Sequence, residues 1–188
     1  GDPLAEMMSS LMPYGLSTSD RGHSSPQGKS DLTLHASNGV TYIDRQEISK
    51  GYETVDSFKL LVSKTSAEHA GEPGKDGRFK VIPSSMKVLH PGEVCTHSYF
   101  IIGNWEDSQT AENALSYMRT KFVRFLMLLC ISGFGLSKIV FQFVPVQDFS
   151  KPWTDAELYE KYGLTEEEIT FIESMIKPME LGGDDDGN

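Results

Sequence analysis

The sequence predicts an α+β fold: a mixed or antiparallel sheet, one long central helix and a two-helix cap at the C-terminal end. Three observations carry this. Strand-like runs fall at 32–44, 58–63 and 94–103; one run of helical periodicity continues for about six turns from residue 108; and two helix starts follow one another after residue 150. With 188 residues, 38% of them hydrophobic, the chain can bury a full core as one domain or as one domain with an appendage.

Taken in order, residues 5–12 read as a short helix stopped by Pro13, and 17–30 as a Ser/Gly/Pro-rich loop. Runs at 32–37 and 40–44 flank Asn38-Gly39, a strong hairpin signal. Phe58 to Ser63 is β-rich, and 65–78 is too polar to pack. Val94 to Gly103 reads as one long strand, with Val94, Thr96, Ser98, Phe100 and Ile102 on one face and Cys95, His97, Tyr99 and Ile101 on the other. After Asp107 or Ser108 as cap, Ala111, Leu115, Met118, Phe122, Phe125, Leu126 and Leu129 recur at helical spacing, a helix roughly 30 Å long. Lys138 to Val146 reads as a last strand. Thr154 with Glu157, and Thr165 with Glu168, are capping boxes; Trp153 with Leu158 and Leu164 with Ile169 are the matching hydrophobic staples. Gly163 and Pro178 end the two helices. The expected division is an N-terminal segment over 1–30, an α+β body over 31–147, and an acidic helical cap with a disordered tail over 148–188.

The net charge of −10 is unevenly placed: residues 148–188 hold twelve acidic and three basic side chains, which leaves the body at −1. Segregated acidity leaves nucleic-acid binding by the body open. Two cysteines, Cys95 and Cys130, fit a reducing cytoplasm better than a disulfide framework. No apolar run reaches the ~18 residues of a membrane span, so no membrane partner is expected. The chain opens Gly1-Asp2-Pro3 without an initiator methionine, as expected of a piece cut from a longer protein with Gly1 a tag remnant.

Reactive constellations are scarce. Gly133-Phe134-Gly135 follows a helix and precedes a strand, the reverse of a phosphate loop, and reads as a helix C-cap and turn. Cys95-Thr96-His97 has neither zinc-finger nor redox spacing. The histidines fall in no nucleophile motif, and Asp31, Asp44 and Asp56 are not spaced as in a nuclease. Glu166-Glu167-Glu168 complements a helix dipole. Basic residues gather between 45 and 87 (Arg45, Lys50, Lys59, Lys64, Lys75, Arg78, Lys80 and Lys87), with Tyr42, Tyr52 and Tyr99 interleaved.

The segments Lys121-Phe122-Val123-Arg124-Phe125-Leu126, Phe143-Val144-Pro145-Val146-Gln147-Asp148-Phe149, Trp153-Thr154-Asp155 and Tyr162-Gly163-Leu164-Thr165-Glu166-Glu167-Glu168 resemble the C-terminal part of adenine-specific DNA methyltransferases. These belong to bacterial restriction–modification systems, some fused to an endonuclease. Pro13-Tyr14-Gly15-Leu16, Lys59-Leu60-Leu61-Val62-Ser63-Lys64 and Cys95-Thr96-His97-Ser98-Tyr99 resemble segments of the same region in the same order, so that the resemblance spans roughly residues 13–178. It implies a target-recognition region, which holds duplex DNA and reads base edges while a catalytic domain of the same chain flips and methylates adenine. The family's Asn/Asp-Pro-Pro-aromatic motif and Phe-x-Gly-x-Gly loop do not occur here. Accordingly no catalytic residue, cofactor or metal is assigned to this chain, and S-adenosylmethionine is expected for the parent protein. Arg45, Lys59, Lys64 and Lys80 are the expected phosphate contacts; Ser63, Thr96, His97 and Tyr99 are the candidates for base reading or its support. The alternative is a protein-interaction module of such a complex, docking through the acidic cap onto a basic surface. A small standalone enzyme is the third reading.

Overall fold

Asp31–Ala36 (β1) and Gly39–Asp44 (β2) form the expected hairpin, paired from Asp31 opposite Asp44 to Ala36 opposite Gly39. Its two turn residues are Ser37 and Asn38, and the left-handed backbone falls on Gly39, at φ +120°. Glu93–Cys95 (β5) lies parallel to β1 and gives a mixed sheet of order β2-β1-β5. Phe58–Ser63 (β3) pairs antiparallel with Lys87–Leu89 (β4) and with Tyr99–Trp105 (β6), giving a second sheet of order β4-β3-β6. The structure, a computed structural model, describes residues 1–29, 31–64, 71–81, 86–131 and 138–179. The Gly133-Phe134-Gly135 turn and the acidic tail lie outside the described residues.

The period-2 alternation of β3 and β6 sorts their side chains into two cores. Leu60, Val62, Phe100 and Ile102 face one, together with the helices; Leu61 and Ile101 face the other, against Leu32, Leu34, Ile43 and Val94 of the first sheet. The second sheet is thus covered on both faces, and every residue of β3 from Lys59 to Ser63 is buried. That gives three layers: helices, sheet, sheet.

The long helix is a correction. Ser108–Met118 (α2) and Lys121–Cys130 (α3) are separate helices, because Thr120 takes an extended conformation and its hydroxyl accepts from the Val123 amide at 3.2 Å. Apolar spacing alone does not register a two-residue break. The expected strand 94–103 is also two strands, split at 96–98 where the chain passes from the first sheet to the second. Residues 138–146 are not a strand: Lys138–Phe143 is a 3-10 helix, with Val140 and Phe141 buried in the helical core. A short apolar run does not separate strand from helix. The N-terminal helix is likewise a single 3-10 turn, Leu4–Met7, after which Met8 pairs with Ile102.

The two C-terminal helices form as expected, but only the second of the two expected capping boxes closes: the Glu157 carboxylate turns to the Thr154 hydroxyl and Lys151 rather than to the Thr154 amide. Thr154 and Thr165 cap Asp155–Lys161 (α4) and Glu166–Met175 (α5), and the Thr165/Glu168 box is complete in both directions. Gly163, at φ +63°, closes α4 with a Schellman pair: its own amide reaches the Glu160 carbonyl and the Leu164 amide the Tyr159 carbonyl. A short four-residue helix, Tyr52–Val55 (α1), precedes β3. Among the described residues no helix is long and apolar enough to cross a membrane.

Candidate nucleic-acid interface

The eight expected contact residues do not form one surface. Arg45 is exposed, and its guanidinium makes a two-pronged pair with Asp56 at 2.8 and 3.1 Å. Lys59 is a correction: it is 0% exposed, and its ammonium donates to the Val55 carbonyl at 3.0 Å and the His90 carbonyl at 3.3 Å, out of reach of any phosphate. Burial lowers its pKa to about 8, against the pull of Glu93, Cys95 and Asp56. Lys64 is half-buried and donates to the Leu11 carbonyl at 2.5 Å and the His97 carbonyl at 2.7 Å, with the Phe100 ring beneath its ammonium. Lys80 is half-buried, and its carbonyl accepts from Arg124.

The expected base readers sit inward as well. Thr96 and Ser63 are buried, so neither presents a hydroxyl to a groove, a second correction. His97 is half-buried, and its Nδ1 is enclosed without a partner. The Tyr99 hydroxyl donates to the Ala36 carbonyl at 3.4 Å. Lys64, Thr96, His97 and Tyr99 do lie together, where the chain crosses between sheets. There the His97 amide reaches the Leu16 carbonyl and the Thr96 amide the His35 carbonyl, so the cluster ties the 11–16 segment to both sheets.

That tie shapes an open groove. Ser9 to Met12 run beside β6, and with Lys50, Phe100 and Lys138 they line a cavity of about 460 Å³. A neighbouring cavity of about 510 Å³ shares Ser9, Ser10 and Lys50 and adds Glu6, Glu53, Thr54 and Asn104. Lys50 and Lys138 are exposed, and neither takes part in an ion pair among the described residues. Lys64 holds two of the groove's walls, Leu11 and Phe100. Lys50 owes its position to Gly51. A Cβ on that residue, at φ +70°, would lie 2.2 Å from the Pro13 carbonyl oxygen, so only glycine lets the two segments close on one another.

No family model, curated protein or solved structure matches this chain. The site therefore rests on its own geometry. Lys50 stood among the basic residues of the sequence without distinction, and Lys138 read as the start of a strand. The signal that could have marked Lys50 is the glycine that follows it.

A second polar cluster has a structural role. The Glu93 carboxylate binds His35 Nε2 at 2.8 Å, His90 Nδ1 at 3.3 Å and the His90 amide at 2.5 Å. Burial pushes the Glu93 pKa up, yet the bonds from His35 and His90 outweigh it and hold the group at about 2, below the usual 4.5. No group of three or more His, Cys, Asp or Glu among the described residues could hold a metal ion. Because the folded pKa is depressed, the carboxylate stabilises the fold above pH 4.5, and this is lost as pH falls toward 2. Glu93→Gln is expected to cost about 1–2 kcal/mol at pH 7. Urea titrations should find the gap between the two proteins shrinking by pH 3; an undiminished gap there would contradict the charge-based account.

Proposed function

We propose that this chain is the DNA-binding target-recognition region of an adenine-specific DNA methyltransferase of a bacterial restriction–modification system, with methyl transfer carried out by a catalytic domain of the same protein. The observation that carries this reading is the groove between 9–12 and the 138–143 helix. It bears two exposed, unpaired lysines above an aromatic floor, on the body of the chain and apart from its acidic cap. Unpaired ammonium groups on a concave surface attract backbone phosphates and fix the register of a duplex. The Ser10 hydroxyl donates to the Met12 carbonyl, which leaves its lone pairs to accept from a base edge or sugar, whereas the Ser9 oxygen already accepts from the Ile101 amide at 3.0 Å. The order of the family-like segments along 13–178 supports the same reading.

No S-adenosylmethionine site is proposed on the described residues. The one glycine that opens a helix beside a cavity, Gly51, is packed against the Pro13 carbonyl and the Tyr14 ring rather than open to a ligand. No step of the methyl transfer is therefore assigned to this chain.

The test is fluorescence anisotropy with a labelled duplex at several salt concentrations. Binding should weaken steeply with salt. Lys50→Ala/Lys138→Ala should lower the slope of log K against log salt by about two units and weaken binding about tenfold. Arg45→Ala should do less, since Asp56 already neutralises that guanidinium. Salt-insensitive binding, or a double variant that binds like the parent, would rule the groove out as the contact surface.

A further inference from the structure

We infer that Asn104, at the wall of the cavity of about 510 Å³, is a side chain that selects sequence, by pairing with the edge of an adenine. This rests on the DNA-binding reading and names the residue that gives it specificity. Strict alternation along β6 would send residue 104 into the helical core, after Phe100 and Ile102. A bulge prevents that. Ile102 pairs with Leu60 and Trp105 with Phe58, so Gly103 and Asn104 together stand opposite Lys59. Trp105 takes the inward position instead and meets Phe149 edge to face at 5.9 Å. Asn104 is left exposed, in a wall shared with Glu6, Lys50 and Glu53. The bulge depends on Gly103, at φ +86°, where a Cβ would lie 2.2 Å from the Trp105 ring. An irregular strand and a glycine thus turn one amide from the core to the cavity.

The polar groups of this cavity suit a base edge rather than a phosphate. Among the described residues the side chains of Asn104, Glu6 and Glu53 make no hydrogen bond. Those of Ser9 and Thr54 are engaged within the chain, with the Ile101 amide and the Tyr14 hydroxyl. Two carboxylates repel a phosphate backbone, which is left to Lys50 and Lys138 in the adjoining cavity. Lys50 lines both cavities, so a strand held there turns its base edges toward Asn104. In the major groove only adenine sets an acceptor, N7, beside a donor, the N6 amino group. The Asn104 amide matches both, its NH2 donating to N7 and its carbonyl accepting from N6.

The test is selection from a pool of duplexes with a randomised centre, followed by anisotropy on the selected duplex and on an unrelated one. The parent should enrich a sequence with a fixed adenine. Asn104→Ala should weaken the selected duplex about tenfold, leave the unrelated one nearly unchanged, and relax the preference at that adenine. Asn104→Asp keeps an acceptor and loses the donor, so its preference at the same position should move to cytosine. Both substitutions alter an exposed position, so the fold survives. Variants that enrich the parent's sequence, or that weaken both duplexes equally, would overturn the inference and leave the DNA-binding reading standing. So would a parent that binds DNA with a steep salt dependence yet enriches no sequence. A parent without salt-dependent DNA binding would remove the inference and the reading together.

Discussion

Arg124→Ala is expected to cost about 3 kcal/mol or more, lowering Tm by ~10 °C for a chain of this size. Arg124 is 1% exposed and pairs with no carboxylate among the described residues; its charge is held by backbone carbonyls. Nε donates to Arg119 at 3.1 Å and Thr120 at 3.3 Å, and Nη1 to Lys80 at 3.1 Å and Lys177 at 2.7 Å. One side chain thus joins the break between α2 and α3, the end of the polar loop and the strand-like exit from α5, where Phe79 pairs with Ile176. Burial depresses its pKa to about 10, against the pull of Asp155 and Tyr159, and removal of the charge relieves part of that cost. What remains is a cavity and carbonyls stripped of their donor, at about 1–3 kcal/mol for each that water cannot reach. Arg124→Lys recovers little, since a single ammonium does not span both carbonyl pairs. Thermal unfolding reads the global loss. Hydrogen exchange at the Phe79 and Lys177 amides, which bond to Met175 and Phe79, should accelerate first. An Arg124→Met protein as stable as the parent would refute the clamp.

Elements whose determinants are local were legible in the sequence. The hairpin needs only two patterned runs and a turn. The terminal helices carry their own caps at Thr154 and Thr165, and Gly163 ends α4 through conformational freedom no other residue has. Elements fixed by distant partners were not. Whether 94–103 stays one strand depends on which sheet offers an edge, and the chain changes sheets at 96–98. Whether 138–146 is strand or helix depends on the segment beside it, and the chain at 2–4 offers a single bridge, with bonds from the Leu4 amide to Val144 and from the Val146 amide to Asp2, rather than a ladder. Thr120 was readable as a possible cap, yet apolar spacing continues smoothly across it.

The site was less legible than the fold, for a related reason. A lysine on a strand signals a solvent face only if the strand has one. β3 is the middle strand of the middle layer, so Lys59 and Ser63 point with Leu61 toward the inner core rather than toward a ligand. The lysines of the groove, Lys50 and Lys138, come from segments 88 positions apart that line one cavity with Ser9 to Met12. No spacing rule joins such residues; the tertiary fold does.

The burial of Lys59 carries its own expected result, a stability that rises with pH where that of most proteins falls. Its pKa drops from the usual 10.5 to about 8 because the side chain is enclosed, with only two carbonyls to solvate it. Below pH 8 the residue is charged in both folded and unfolded chains, and the fold carries the full cost of burying the charge. Between pH 8 and 10.5 the folded chain releases its proton while the unfolded chain still holds one. The unfolded state then binds more protons, so stability rises with pH, by on the order of 3 kcal/mol. Other groups act in the opposite direction: burial raises the Cys95 thiol and the Tyr14 and Tyr117 hydroxyls, whose contributions are lost as pH climbs through 9 and 10. The comparison that isolates Lys59 is therefore with Lys59→Met, which keeps the volume, removes the charge and leaves those groups in place. At pH 7 the variant should lie within about 2 kcal/mol of the parent, since lost hydrogen bonds and relieved desolvation offset one another. From pH 7.5 to 10 the parent should gain on the variant steadily in urea unfolding. A constant difference over that range would mean that Lys59 keeps its proton, and that the carbonyls of Val55 and His90 solvate an ammonium better than its burial implies.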